Sequence, residues 1–154
     1  GAHPGGKIGQ KTKAATHLIK IASEVATGKR SVLKIFGNDF DTQDGTGVRD
    51  YIHVEDLASA HLAALRYLDG EGEPGIFNCG YGRGFSVLDV IKSMERVSGR
   101  PLPVEMAPRR PGDISASVAD NRKILSKLGW KPQYDNLDVI VKHALAWESS
   151  LKRP

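Results

Sequence analysis

Two arginine-bearing loops carry the side chains with the clearest chemical use in this 154-residue chain. Arg49 follows a long glycine- and aspartate-rich stretch, residues 37–48, and Arg109-Arg110-Pro111-Gly112-Asp113 is a short polar run stiffened by proline. A guanidinium stays charged at any working pH, and its planar fork matches paired phosphate oxygens, which the point charge of lysine does not reproduce. If the two loops converge, they suit a diphosphate, with Asp113 free to accept from sugar hydroxyls. If they do not, the same arginines are ordinary surface ion pairs. Residue type alone leaves both readings open.

The other candidate motifs fail on detail. Gly80-Tyr81-Gly82-Arg83-Gly84 stands where a dinucleotide fingerprint would sit, between a strand and a helix. Its third glycine is replaced by Phe85, and no acid follows at the distance a ribose contact needs. Asp39, Asp41 and Asp44 suggest a calcium loop, but the position that must be glycine is Asp44. The five histidines show no metal-ligand spacing, no serine lies in a nucleophile elbow, and the lone Cys79 excludes both a disulfide framework and a cysteine-based zinc site. No metal is expected.

The elements that must position the arginines follow from periodicity. Apolar positions Leu18, Ile21, Ala22 and Val25 predict a helix capped by Thr16 and stopped at Gly28. Strands are predicted at 32–36, 49–54, 76–79 and 103–107, and helices at 56–68, 121–128 and 137–151. Ser86 and Asp89 form a capping box before the apolar face Val87, Val90, Ile91, Met94 and Val97, with Gly99 past its end. Strands alternating with helices predict an α/β fold. Residues 1–15 read as loop or frayed terminus, and no internal boundary divides the rest.

Composition bounds the function. Hydrophobic residues make up 40% of the chain, and no apolar run is long enough to span a bilayer, so no membrane partner is expected. The formal charge of +4 is concentrated in residues 1–36, which hold seven bases and one acid. Aromatic residues are only 6% and do not interleave with the bases, so no nucleic-acid partner is expected. No leader is expected either, and with a single unpaired cysteine the expected location is cytoplasmic.

Several runs together carry a resemblance. Ile35-Phe36-Gly37-Asn38-Asp39-Phe40, Asp44-Gly45-Thr46-Gly47-Val48-Arg49-Asp50-Tyr51-Ile52-His53-Val54, Phe77-Asn78-Cys79-Gly80 and Ala107-Pro108-Arg109-Arg110-Pro111-Gly112-Asp113 closely resemble the UDP-glucose 4-epimerases. So do Ala119-Asp120 and Leu128-Gly129-Trp130-Lys131-Pro132, and the likeness runs from about Gly1 to Trp147. These enzymes are extended short-chain dehydrogenase/reductases. The resemblance implies the substrate-binding C-terminal part of such an enzyme, with the N-terminal Rossmann portion missing, and residues 16–154 as the UDP-sugar-binding domain.

The resemblance also assigns roles. It implies that Lys34, Ile35 and Phe36 line the uracil, with backbone groups reading its edge, that Arg49 and Arg110 hold the diphosphate, and that Asp113 takes a ribose hydroxyl. A further family contact, often aromatic, falls on Ser117 and is not carried over. It implies an isomerase of galactose metabolism that interconverts UDP-galactose and UDP-glucose through a 4-keto intermediate. NAD would be bound by the missing portion, and the full-length protein would be a homodimer. Tyr51, Tyr67, Tyr81 and Tyr134 are all without a lysine four residues on, so the family's Tyr-x-x-x-Lys is absent and no catalytic residue is expected here. The chain by itself is expected to be inactive, with the 76–79 strand left without neighbours. The alternatives are an arabinose or N-acetylhexosamine 4-epimerase, or a non-catalytic UDP-sugar-binding module.

Overall fold

The computed structural model describes residues 1–12 and 14–151. Residues 1–12 and 14–17 contain no helix or strand. Ala2 and Ala15 are buried, and the indole Nε1 of Trp147 donates to the Gln10 carbonyl at 3.0 Å, pinning the segment to the last helix. The first helix, α1 (Leu18–Ala26), starts one residue later than predicted. His17 occupies the cap position, without a side-chain hydrogen bond.

Two parallel strands, β1 (Leu33–Phe36) and β4 (Val104–Ala107), make one sheet. The other sheet places β2 (Val48–Arg49) between β3 (Phe85–Ser86) and β5 (Ala116–Ser117), antiparallel to the first and parallel to the second. The segments 33–49 and 104–117 therefore run side by side through both sheets. Helices α2 (Val54–Asp69), α3 (Val87–Ser98), α4 (Arg122–Leu128) and α5 (Leu137–Ser150) complete the α/β arrangement. The predicted capping box is present in full on α3: Ser86 Oγ accepts from the Asp89 N–H, and the Asp89 carboxylate accepts from the Ser86 N–H, both at 3.0 Å.

The main core joins α1, α3 and α5 to the inner face of β1, through Ala22, Leu33, Ile35, Val90, Met94 and Val141. A smaller cluster, Ala60, Ile124 and Trp130, lies under α2 and α4. No helix among the described residues is long and apolar enough to cross a membrane.

Two predicted strands differ. The 49–54 strand ends at Arg49: the Asp50 N–H still donates to Ser117 O at 3.2 Å, but beyond it His53 caps α2, which starts at Val54. Residues 76–79 find no pairing strand among the described residues. Ile76 is 88% exposed, and the α2 side chains Leu62, Leu65 and Leu68 are exposed as well. An extended segment of strand-forming residues becomes a strand only where a neighbour supplies the hydrogen bonds.

The N-terminus of α2 carries a pH dependence. His53 is fully buried; its Nδ1 accepts from the Glu55 N–H at 3.1 Å, so its proton sits on Nε2, which faces His143 Nδ1 at 3.0 Å. Burial first, with His143 adding to it, pushes the His53 pKa down to about 4. The unfolded chain therefore binds a proton that the folded one refuses, and stability falls as pH drops from the ordinary histidine value of 6.5 towards 4. Between pH 7 and 5 the expected loss from this group is about 2 kcal/mol. Thermal melts of the wild type and His53→Asn, which keeps an acceptor for the cap, check it: the variant should show a flatter profile over that interval.

Candidate functional site

The parallel pairing of β1 with β4 sends the loops that follow both strands, 37–47 and 108–115, out at the same end. Ligand sites in α/β proteins form at such carboxyl ends of strands. Here the two loops, β2, α1 and α5 enclose a cleft of about 450 Å³. Arg49, Arg110, Asp113, Lys34 and Phe36 all line it. The two arginine loops of the sequence therefore converge.

Strand periodicity decides which β1 residues face the cleft. Leu33 and Ile35 point into the core, while Lys34 and Phe36 point out. The Ile35 side chain is only 1% exposed, so it lines no ligand space, and any part it plays comes through its main chain. The Leu33 N–H donates to Pro103 O and the Gly37 N–H to Ala107 O, both at 2.9 Å, so the odd-numbered residues carry the ladder. The main-chain groups of Lys34 and Phe36 point to the other edge, where no strand pairs among the described residues.

Each arginine is held differently. Arg49 Nη1 donates to the Val48 carbonyl at 2.7 Å, and among the described residues no carboxylate lies within ion-pair distance. Its other donors meet no protein acceptor among the described residues, and Arg49 lines the cleft. Arg110 uses only Nε on Asp113, at 2.9 Å, and its guanidinium carbon lies 4.9 Å from the Phe36 ring centroid. That geometry leaves both terminal nitrogens of Arg110 for another acceptor. The loop itself is a turn in which the Asp113 N–H donates to Arg110 O at 3.2 Å; Pro111 precedes Gly112, whose φ of +83° only glycine adopts easily.

Part of a buried ion cluster, Lys20 and Glu148, also lines the cleft. Glu148, 2% exposed, pairs with Lys20 and, at 2.8 Å, with Lys29. Burial by itself would raise the Glu148 pKa, but the hydrogen bonds and charges of the two lysines hold it below the usual carboxylate value. Tyr51 also lines the cleft, and burial pushes its hydroxyl up to about 12, so it is a neutral donor at any ordinary pH.

Two aspartates near the site escaped the sequence reading. Asp50, beside Arg49, accepts from the Tyr81 N–H at 3.0 Å, the Gly82 N–H at 2.9 Å and the Ala119 N–H at 3.3 Å. The glycine turn thus wraps a carboxylate of the chain itself. An added Cβ at Gly80 would lie 2.5 Å from Asp50 Oδ2, and the amides that would cradle a phosphate are already committed. Residues 80–84 do not fit a dinucleotide. Asp56, 1% exposed, accepts from the Tyr81 hydroxyl at 2.6 Å and from the N–H groups of Gln133 and Tyr134, both at 2.8 Å. In sequence it reads only as an acid in the first turn of a helix. Among the described residues no group of histidine, cysteine and carboxylate side chains could hold a metal ion.

Comparison with known proteins gives the following. A family model described as the NAD dependent epimerase/dehydratase family matches residues 2–80. A UDP-glucose 4-epimerase of Azospirillum brasilense is 52% identical over 153 residues, which is 99% of this chain and 44% of that protein. The crystal structure of the Bifidobacterium longum UDP-glucose 4-epimerase in complex with NAD+ and UDP superposes with a TM-score of 0.88 at 43% identity, over 96% of this chain and 44% of that one. A UDP-Glc/GlcNAc 4-epimerase from Campylobacter jejuni gives 0.80 at 54% identity, over 93% and 43%. The chain thus spans less than half the length of these relatives.

Proposed function

The chain belongs to the NAD dependent epimerase/dehydratase family, and on that premise we propose that it forms the UDP-sugar-holding part of a UDP-glucose 4-epimerase. Arg49 and Arg110 hold the diphosphate, Asp113 accepts from a ribose hydroxyl, and the open edge of β1 with the Phe36 ring receives the uracil. The observation that carries this reading is the convergence of two guanidinium groups with uncommitted donors in one cleft. Epimerisation at C4 requires the hexose to present both faces in turn. Binding energy must therefore lie in the nucleotide end, which is where the charged and aromatic groups of this chain are.

NAD and the proton-transferring tyrosine belong, in this proposal, to the part of the relatives' length outside these 154 residues. The whole protein is then a cytoplasmic homodimer, and this part alone is inactive.

Ser117 favours a second reading of the sugar. It lies in register with Arg49 and is exposed, so a small side chain stands beside the clamp. That leaves room for an acetamido group, which suits UDP-N-acetylhexosamine as well as UDP-glucose. Assaying the full-length protein on both sugars separates the two.

Calorimetric titration with UDP tests the clamp directly. The wild-type chain should bind saturably, and Arg110→Ala should lose about thirtyfold or more in affinity, as expected when a charge-assisted pair is removed. Unchanged affinity in the variant would remove Arg110 from the site.

A further inference from the structure

The two consecutive arginines do different work. Arg110 faces the cleft, but Arg109 does not line it. Arg109 instead turns back on the loop after β1. Its Nε donates to Asp39 Oδ1 at 2.6 Å, and its Nη2 donates to the Asp39 carbonyl. Its guanidinium carbon lies 3.9 Å from the centroid of the Phe40 ring. Phe40 is 6% exposed and, like Phe36, lines the cleft. Gly37 completes the arrangement at a φ of +85°, where a Cβ would stand 2.6 Å from the Phe40 ring and 2.7 Å from Arg109 Cγ.

We infer that Arg109 is a positioning residue: latched to Asp39 and stacked on Phe40, it fixes the aromatic wall that receives the pyrimidine base of a nucleoside diphosphate. This rests on the diphosphate reading above and adds a division of labour to it. Arg110 supplies charge to the phosphates. Arg109 supplies none; it holds the shape of the base slot through a side chain 70 positions away in sequence. A planar fork that bonds a carboxylate and a carbonyl while stacking on a ring is something lysine cannot copy.

The test separates base from phosphates. UDP and inorganic pyrophosphate are titrated calorimetrically into the wild-type chain, Arg109→Ala, Arg109→Lys and Asp39→Asn, with amide hydrogen exchange of residues 37–46 followed in parallel. Asp39 is mostly exposed, so Asp39→Asn opens the latch with little risk to folding. UDP affinity should fall about tenfold in both Arg109 variants and in the same direction in Asp39→Asn, with pyrophosphate affinity unchanged within about twofold. Equal losses for the two ligands would make Arg109 an anion contact and overturn the inference, as would wild-type behaviour of Arg109→Lys or undiminished UDP binding in Arg109→Ala. Should the wild-type chain take up neither ligand, the diphosphate reading fails by itself and exchange decides the latch. Faster exchange confined to 37–46, with α3 and α5 unaltered, sustains it; unchanged exchange overturns it.

Discussion

Asp56→Asn is expected to cost about 3–4 kcal/mol of folding stability, although Asp56 touches no part of the cleft. Its two oxygens accept three hydrogen bonds, one from the Tyr81 hydroxyl and two from main-chain N–H groups at Gln133 and Tyr134. An amide can turn only one oxygen towards these donors, and its NH₂ then opposes the rest. Each buried donor left without an acceptor costs about 1–3 kcal/mol, and a charged acceptor makes the loss larger. The carboxylate also raises the Tyr81 pKa, after burial and through their hydrogen bond, so the phenol stays protonated and keeps donating. Urea unfolding followed by tryptophan fluorescence measures the change, because Trp130 is buried beside α2, its indole 2.9 Å from Ser59 Oγ. A midpoint shift worth less than about 1 kcal/mol would show that segment 130–134 is held to α2 without help from the Asp56 carboxylate.

Glu148→Ala should be comparably severe, at about 3–5 kcal/mol, the usual range for breaking a buried charged cluster by removing one partner. The side chain is 2% exposed and serves Lys20 and Lys29, whose own side chains are 11% and 12% exposed. Lys29 also donates to the Glu148 and Leu151 carbonyls at 2.6 and 3.0 Å, satisfying acceptors that the end of α5 leaves open. Without the carboxylate, Lys29 loses its ion-pair partner and Lys20 keeps only Glu24, at 3.3 Å, with both lysines still largely buried. The pH sign follows from the lowered Glu148 pKa. Its stabilisation is present above the unfolded value of 4.5 and is lost as pH falls through the lower folded value. The stability gap between the wild type and Glu148→Gln should therefore narrow below about pH 4.5. A gap that stays constant from pH 7 to 3 would mean the charge contributes nothing.

The location of Glu148 links stability to the proposed function. It lines the same cleft as the arginines, and its pairing with two lysines offsets a carboxylate that would otherwise oppose the diphosphate of the proposed ligand. Among the cationic groups that line the cleft, Lys20 is thus spent on Glu148, while Arg49 keeps free donors.

By itself the sequence determined what depends on neighbours a few residues apart. The Ser86–Asp89 capping box, the stops at Gly99 and Gly129 and the alternation of β1 are local events, and each formed as its residues dictate. The motif runs around Arg49 and Arg110 also carried the family. Only the tertiary structure showed what each arginine touches. Arg109 and Arg110 are adjacent and identical in type, and a guanidinium's role depends on the acceptors that reach it. Those acceptors, Asp39 for one and Asp113 with the open cleft for the other, are set by the parallel course of 33–49 beside 104–117. The same reason explains the segment at 76–79 and the aspartates Asp50 and Asp56. A strand needs a partner strand, and a buried carboxylate needs distant N–H groups, and neither partner is written within a residue's own stretch of chain.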